Sequence, residues 1–365
     1  MKTIMVSGGA GFIGANFVRL TLAQKDWRVV VFDKLTYAGN LLNLREVANN
    51  PHYSFAPGDI TDRQMLRATI AQVRPDAIVN FAAETHVDRS IDGPRDFVET
   101  NVMGAFELLE ALREYAAQLS PAALAHLRFV QVSTDEVYGS LGEHGRSVEE
   151  DAYAPNSPYA ASKAAADHFV RAYRETYRLP VLITNCTNNY GPYQFPEKLI
   201  PMVVAKAVAG EPIPIYGDGG NVRDWVFVED HCAGLLAVLE RGRVGAKYNI
   251  GGDCERTNLE LIGAICGVLE ELWPAAQNPA LESRGVASYA SLMSFVPDRP
   301  GHDRRYALDC SLIASELGWR PRIALAEGLR RTVSWYLANR QWSEQVQSGR
   351  YRGERLGLGA ASRDA

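Results

Sequence analysis

The chain has 365 residues, too many for one small core and suited to a large α/β domain with a smaller partner lobe. Hydrophobic residues make up 47%, which excludes a disordered chain, and a formal net charge of -5 without any basic stripe argues against a nucleic-acid partner. No apolar run is long enough for a bilayer, no signal-peptide pattern is visible, and the scattered cysteines lack metal or disulfide spacing, so a cytoplasmic protein without membrane contact or metal is expected.

Residues 3–7 read as a strand, followed by Ser7-Gly8-Gly9-Ala10-Gly11-Phe12-Ile13-Gly14 and a helical pattern over Phe12–Gln24. Strand patterns recur at 28–33, 53–56, 77–82, 127–133 and 181–185, with helical patterns over Arg63–Val73 and 94–115 between them. Such alternation predicts an α/β fold with a Rossmann-type doubly wound parallel sheet. The strands are almost continuously apolar, as a sheet covered on both faces requires. Beyond about Gly191 the rhythm changes. Short strand patterns (213–215, Val222–Phe227, Lys247–Ile250) mix with helices (Leu199–Ala209, Asn258–Leu272, Leu325–Ala338), which predicts a smaller α/β C-terminal lobe. The stretch 274–285 reads as a loop and 350–365 as a loose tail. The expected organisation is a dinucleotide-binding domain over 1–190, to which some later segments return, a substrate lobe over 191–340, and a tail over 341–365.

Gly8, Gly11 and Gly14 lie between a strand and a helix. There they allow a tight turn and bring a pyrophosphate onto the free N–H groups of a helix N-terminus. An ordinary glycine-rich turn is the plainer reading, but Asp33 at the end of the next strand adds a carboxylate for ribose hydroxyls and favours NAD over NADP. Lys34, next along, would soften that preference. Asp59 after the third strand is placed to reach the adenine amino group, or simply to cap a turn. Tyr159 and Lys163 are four apart on a helix that Ser157 would cap and Pro158 would begin. A lysine beside a phenol favours the phenolate, which can take a hydroxyl proton during hydride transfer. Ser133-Thr134-Asp135-Glu136 closes the fifth strand. One reading is a capping box with Ser133 as cap and Glu136 at the third position. The other is an acid and a base at the carboxyl edge of a parallel sheet, where ligands bind.

These segments, with 33–40, 82–90, 188–201, Arg223-Asp224-Trp225 and 298–306, resemble the dTDP-glucose 4,6-dehydratases, a branch of the extended short-chain dehydrogenase/reductase family, from the glycine turn to about Gln347. The resemblance implies a hydro-lyase holding NAD and acting on dTDP-glucose. Carbon 4 would be oxidised transiently by Tyr159 and Lys163. Glu136 would act as base at carbon 5, Asp135 as acid at the carbon 6 hydroxyl, and Thr134 would hold the sugar. It also implies NAD contacts from Gly8, Gly11, Phe12, Ile13, Gly14, Asp33, Lys34, Leu35, Thr36, Asp59, Ile60, Phe81, Ala82, Ala83, Thr85, Thr100, Tyr159, Lys163 and Asn189. The nucleotide sugar would meet Thr85, Thr134, Asn188, Lys198, Leu199, Pro214, Ile215, Tyr216, Arg223, Asn258, Asp298, Arg299, Pro300, Gly301 and His302. Lys198, Arg223 and Arg299 suit a diphosphate. Asn185 and Thr187 stand where arginine and serine are expected, and Thr85 where serine is. A homodimer packed through the helices at 94–115 and Pro158–Tyr177 is implied. The alternatives are a 4-epimerase, a dehydratase of another nucleotide sugar, and a non-catalytic NAD-binding regulator.

Overall fold

The computed structural model describes residues 1–347. Its strands are β1 (Lys2–Ser7), β2 (Trp27–Asp33), β3 (Tyr53–Pro57), β4 (Ala77–Asn80), β5 (Arg128–Thr134), β6 (Val181–Cys186), β7 (Asn188–Tyr190), β8 (Ile213–Tyr216), β9 (Val222–Phe227), β10 (Lys247–Ile250), β11 (Glu255–Thr257) and β12 (Met293–Val296). Seven of them form one parallel sheet in the order β10-β6-β5-β4-β1-β2-β3. The strand pattern dictates why helices cover both faces. Side chains alternate along a strand. Ile4, Val6, Val29, Val31, Ala77 and Val79 therefore pack on one face, against the helices Phe12–Gln24 and Val228–Arg241. Met5, Phe32, Ile78 and Phe129 pack on the other, against Arg63–Val73, Gly104–Ala116 and Pro158–Tyr177. Each such fully buried aliphatic side chain contributes roughly 1.5–3 kcal/mol, so Val31→Asp would break both the face and the strand order. The chain turns back at β1, which has β2 on one side and β4 on the other. Ligands bind at the crevice such a reversal opens.

The second core gathers Tyr190, Phe195, Trp225, Ile262, Leu329 and Val333 around the sheets β11-β9-β7 and β12-β8. Four local expectations change. Lys247–Ile250, read with the smaller lobe, is the edge strand of the large sheet, paired in parallel with β6. The single helix expected over 94–115 is three pieces, Pro94–Phe97, a π-helical Val98–Met103, and Gly104–Ala116. The loop at 274–285 contains two short helices, Ala275–Gln277 and Pro279–Glu282. The second begins on Asn278, whose side chain accepts from the Ala280 amide, with Pro279 at its first position. Residues 341–347, grouped with the tail on the sequence, lie in the helix Arg340–Gln347, which buries Trp342 and Val346. The stretch 350–365 lies outside the described residues.

Candidate active site

The turn after β1 can only be glycine-rich. Gly8 has φ +70°, and a Cβ built on it would meet the Ala82 amide nitrogen at 2.5 Å; a Cβ on Gly14 would collide with the Gly8 carbonyl. The helix Phe12–Gln24 starts on Gly11 with no side-chain cap. Its first-turn N–H groups are thus left for an anion. Gly8, Gly11, Asp33, Lys34, Thr36, Asp59, Ile60, Phe81, Ala82, Ala83 and Thr100 line one cleft here. Leu35 does not: it sits at φ +56° with its side chain turned to solvent. Asp33 departs from the simple expectation. Its carboxylate already accepts from the Ala10 amide at 2.9 Å and the Leu35 amide at 2.8 Å. A carboxylate offers about four acceptor positions, so two remain for ribose hydroxyls. Lys34 pairs with Asp59 at 3.2 Å. Burial works against the Asp59 charge, but the bonds from Thr61 and Lys34 outweigh it and hold that carboxyl below its usual range. The lysine's charge is thereby committed within the cleft, and Asp59 is both a turn residue and a cleft residue.

The cleft runs on, through Gly8, Gly11, Phe81 and Ala83, into a cavity lined by Phe12, Ile13, Gly14, Thr134, Asp135, Glu136, Tyr159, Lys163 and Asn189. Here β5 ends. Thr134, not Ser133, caps the short helix Asp135–Tyr138, accepting from the Glu136 amide at 3.3 Å. Ser133 instead donates to Asp167 at 2.6 Å, so the capping box drawn from Ser133 and Glu136 does not form. Asp135 is buried. Its Oδ1 accepts from the Thr134 hydroxyl at 3.2 Å and its Oδ2 has no protein partner. Burial, then the neighbouring Glu136 charge, raises the Asp135 carboxyl well above the usual carboxylate value. Glu136 is also raised by burial, but Arg299, Arg223 and Lys198 pull it back toward the ionised form. Burial raises both carboxyls, Asp135 the more strongly because Glu136 faces three cations, and a pair graded in this way can supply one acid and one base.

Ser157 caps the helix Pro158–Tyr177, accepting from the Ala160 amide at 3.0 Å, and Pro158 opens it as expected. Tyr159 and Lys163 both reach the cavity, but they are not joined directly. Lys163 donates to the Val132 carbonyl at 2.8 Å. Burial lowers its affinity for a proton, opposed by Asp167. Burial and the Glu136 charge hold the Tyr159 phenol well above its ordinary value. The phenolate-favouring contact read from the spacing is therefore absent from the side chains as they stand. Asn101 makes a connection the sequence reading missed. Its amide ties the Glu84 backbone at 2.8 and 2.9 Å to the Ser162 hydroxyl at 2.8 Å.

Beyond Glu136 opens a third cavity, of about 390 Å³. Thr85, Asn188, Lys198, Leu199, Pro214, Tyr216, Arg223, Asn258, Arg299 and His302 line it. Ile215 does not: strand alternation turns it into the second core. Asp298, Pro300 and Gly301 also stay off the wall, Asp298 instead meeting His302 Nδ1 at 2.6 Å. Burial and the Arg299 charge lower the His302 imidazole to about 4, so it is neutral near pH 7. Lys198 donates to the Thr85 carbonyl at 2.8 Å, Arg223 to the Asp303 carbonyl at 2.9 Å, and Arg299 to Asp88 at 2.5 Å. The wall also contains His86, Asp88, Glu197 and Tyr306, which sequence reasoning passed over although 82–90 and 188–201 had been singled out. Glu197 is a hub, taking Arg89 at 2.9 Å and the Tyr37 hydroxyl at 3.2 Å. Of the three substitutions noted in the sequence, Asn185 is fully buried and donates to the Thr134 carbonyl at 3.0 Å, behind the end of the cavity that Thr134, Asp135 and Glu136 line. The Thr187 hydroxyl is buried without a protein partner, and Thr85 offers its carbonyl to Lys198.

The family described as GDP-mannose 4,6 dehydratase matches residues 5–332. The chain belongs to this dehydratase family. Within it, the chain is 53% identical over 357 residues to a dTDP-glucose 4,6-dehydratase of Xanthomonas campestris pv. campestris (strain B100), covering 98% of this chain and 99% of that one. The dTDP-glucose 4,6-dehydratase of Escherichia coli is 48% identical over 365 residues, covering 97% and 99%. A crystal structure of dTDP-glucose 4,6-dehydratase from Bacillus anthracis str. Ames in complex with NAD superposes with a TM-score of 0.83 at 43% identity, over 95% of this chain and 100% of that one. The dTDP-glucose 4,6-dehydratase from Streptomyces venezuelae, solved with NAD and dTDP bound, has a TM-score of 0.83 at 48% identity, over 94% and 99%.

Proposed function

We infer that this dehydratase converts dTDP-glucose to the 4-keto-6-deoxy sugar nucleotide and water, using NAD. The observation that carries the reading is the Asp135–Glu136 pair in one cavity with Tyr159, both carboxyls raised by burial but Glu136 opposed by Arg299, Arg223 and Lys198. The cofactor fits the chain's own residues: the glycine turn admits no Cβ at Gly8 or Gly14, the Phe12–Gln24 N-terminus is uncapped, and Asp33 retains free acceptor positions. When bound there, NAD would supply the oxidation at carbon 4 and return the same reducing equivalents at carbon 6, so that only water is lost overall. Tyr159 takes the proton of the 4-hydroxyl once Lys163, now turned to the Val132 carbonyl, and the bound cofactor favour its phenolate. Glu136, as carboxylate, removes the proton from carbon 5, which the adjacent ketone has acidified. Asp135 gives its proton to the 6-hydroxyl, which leaves as water as the carbon 5–carbon 6 double bond forms. A protonated Glu136 then returns a proton to carbon 5. Lys198, Arg223 and Arg299 face the diphosphate, and Thr134 holds the sugar at the end of β5.

Incubating the purified protein with dTDP-glucose should yield a 4-keto-6-deoxy product without added reductant. Recovery of dTDP-galactose instead would overturn the reading in favour of an epimerase. We also propose a homodimer. Val98, Met103, Phe169 and Tyr177 expose apolar surface along 98–103 and the helix Pro158–Tyr177, and a second copy would cover it. Sedimentation of the wild type against F169E tests this. No helix among the described residues is long and apolar enough to cross a membrane. We place the enzyme in the cytoplasm, a reading supported by cysteines that are all free thiols.

A further inference from the structure

The phosphate-binding turn is held from behind by a helix that is distant in sequence. Trp342, on the helix Arg340–Gln347, donates its indole N–H to Asn43 Oδ1 at 3.0 Å. Asn43 Nδ2 donates in turn to the carbonyl of Ala10, at 2.8 Å, which also takes the Asn40 amide at 3.1 Å, so Asn43 supplies one of its two donors. Ala10 lies in the middle of the glycine turn, and its amide is fixed by Asp33 at 2.9 Å. Both backbone polar groups of Ala10 are thus anchored, the amide to the NAD-domain carboxylate and the carbonyl, through Asn43, to the helix Arg340–Gln347. Arg19 and an aromatic cluster pack beside this chain of hydrogen bonds, and the tryptophans other than Trp342 take no part in it. Arg19, on the Phe12–Gln24 helix, donates to the Asn43 carbonyl at 2.5 Å and to Asn16 at 2.8 Å. Its guanidinium lies 3.7 Å from the Tyr193 ring, which packs on Trp335 and Trp342 at 4.5 and 5.9 Å.

We propose that Asn43 and Trp342 are positioning residues for NAD, and that the C-terminal helix serves as a brace that keeps the cofactor from leaving during turnover. The proposal rests on the NAD-dependent reading above. Amides in a turn bind an anion well only if they are already aimed. Asn43, Ala10 and Trp342 are all buried, so no water replaces a lost partner. The need for a brace follows from the chemistry. The reduced cofactor is used again on the same sugar, so its escape in mid-cycle strands both enzyme and intermediate.

The test is exchange of bound NAD for isotopically labelled NAD in the purified full-length enzyme, followed by mass spectrometry. N43D keeps the shape and still accepts from Trp342 but presents an oxygen to the Ala10 carbonyl. W342F removes the indole donor and keeps an aromatic ring. W335F trims the same aromatic cluster without touching Asn43. N43D and W342F should exchange NAD about three- to tenfold faster than wild type, the worth of one buried hydrogen bond. W335F should stay within about twofold, and dTDP affinity by calorimetry should be unchanged in all three. Exchange in N43D at the wild-type rate, or acceleration by W335F equal to that of W342F, overturns the brace. Wild-type protein that neither holds nor takes up NAD would overturn the cofactor reading itself.

Discussion

Replacing Asp135 by asparagine changes one buried oxygen for an amide nitrogen and little else. Oδ1 can still accept from Thr134, whose hydroxyl lies at 3.2 Å, and the unpartnered Oδ2 position becomes an amide that can touch the 6-hydroxyl but has no proton to surrender. Thr134 remains the cap of Asp135–Tyr138, so the backbone has no reason to move. A positioned acid contributes about 100- to 10,000-fold, which corresponds to about 3 to 5 kcal/mol of barrier. The elimination should slow by that factor, while oxidation by Tyr159 and proton abstraction by Glu136 persist. Quenched reactions in deuterium oxide, read by mass spectrometry, should show a 4-keto sugar that keeps its 6-hydroxyl and gains deuterium at carbon 5. The stability of the two proteins checks the protonation state independently. The folded Asp135 carboxyl titrates above its unfolded value, so its favourable contribution is whole below the ordinary carboxylate range and is lost as pH rises through the folded value. D135N lacks that loss, and its stability relative to wild type should increase with pH. Elimination at near wild-type rate by D135N, or a stability difference independent of pH, would refute the assignment of Asp135 as the acid.

Tyr159→Phe should lower turnover by about 100- to 10,000-fold with dTDP-glucose binding retained, measured by single turnover and calorimetry; near-normal turnover would remove Tyr159 from the mechanism. Gly14→Ala places a methyl against the Gly8 carbonyl, so the purified variant should carry little NAD while keeping its fold by circular dichroism. His231 is buried and neutral, its imidazole lowered by burial to about 3, and it meets Asn189 Oδ1 at 2.8 Å. Its contribution is present above the unfolded value of 6.5 and is lost as pH falls toward 3. H231Q should therefore flatten the acid side of the stability curve by about 1.4 kcal/mol per pH unit, as read from denaturant midpoints between pH 6 and pH 4.

The large sheet was legible because its strands carry their burial on their surface. A run such as Val29–Val30–Val31–Phe32 has nowhere polar to face, and helices of full length, such as Phe12–Gln24 and Arg63–Val73, have the ends that the sequence predicts. Lys247–Ile250 was visible as a strand but not as a member of that sheet, since nothing in four residues says which edge they join. Residues that line the central cavity were legible where motif and position coincide, as at Tyr159 and Asp135. What could not be read was which neighbour each would choose. Ser133 bonds to Asp167 because the helix Pro158–Tyr177 crosses behind β5, and Lys163 turns to Val132 for the same reason. The nucleotide wall was least legible. Its members come from distant segments, and in β8 alternation admits Pro214 and Tyr216 while it hides Ile215.

The widened turn at Val98–Met103 makes that stretch intolerant of length change. It aims Thr100 at the cofactor cleft and Asn101 at Glu84 and Ser162. Deleting one residue would let an ordinary helix form through it, and everything beyond would rotate by about 100°. Leu108, Leu109 and Leu112 would swing off the sheet together with Asn101. Insertions and deletions that separate this chain from its relatives should therefore fall in surface loops such as 140–146 and spare 98–103. The wide turn acts as a spacer whose length matters, because the residues on either side of it serve different walls of the molecule.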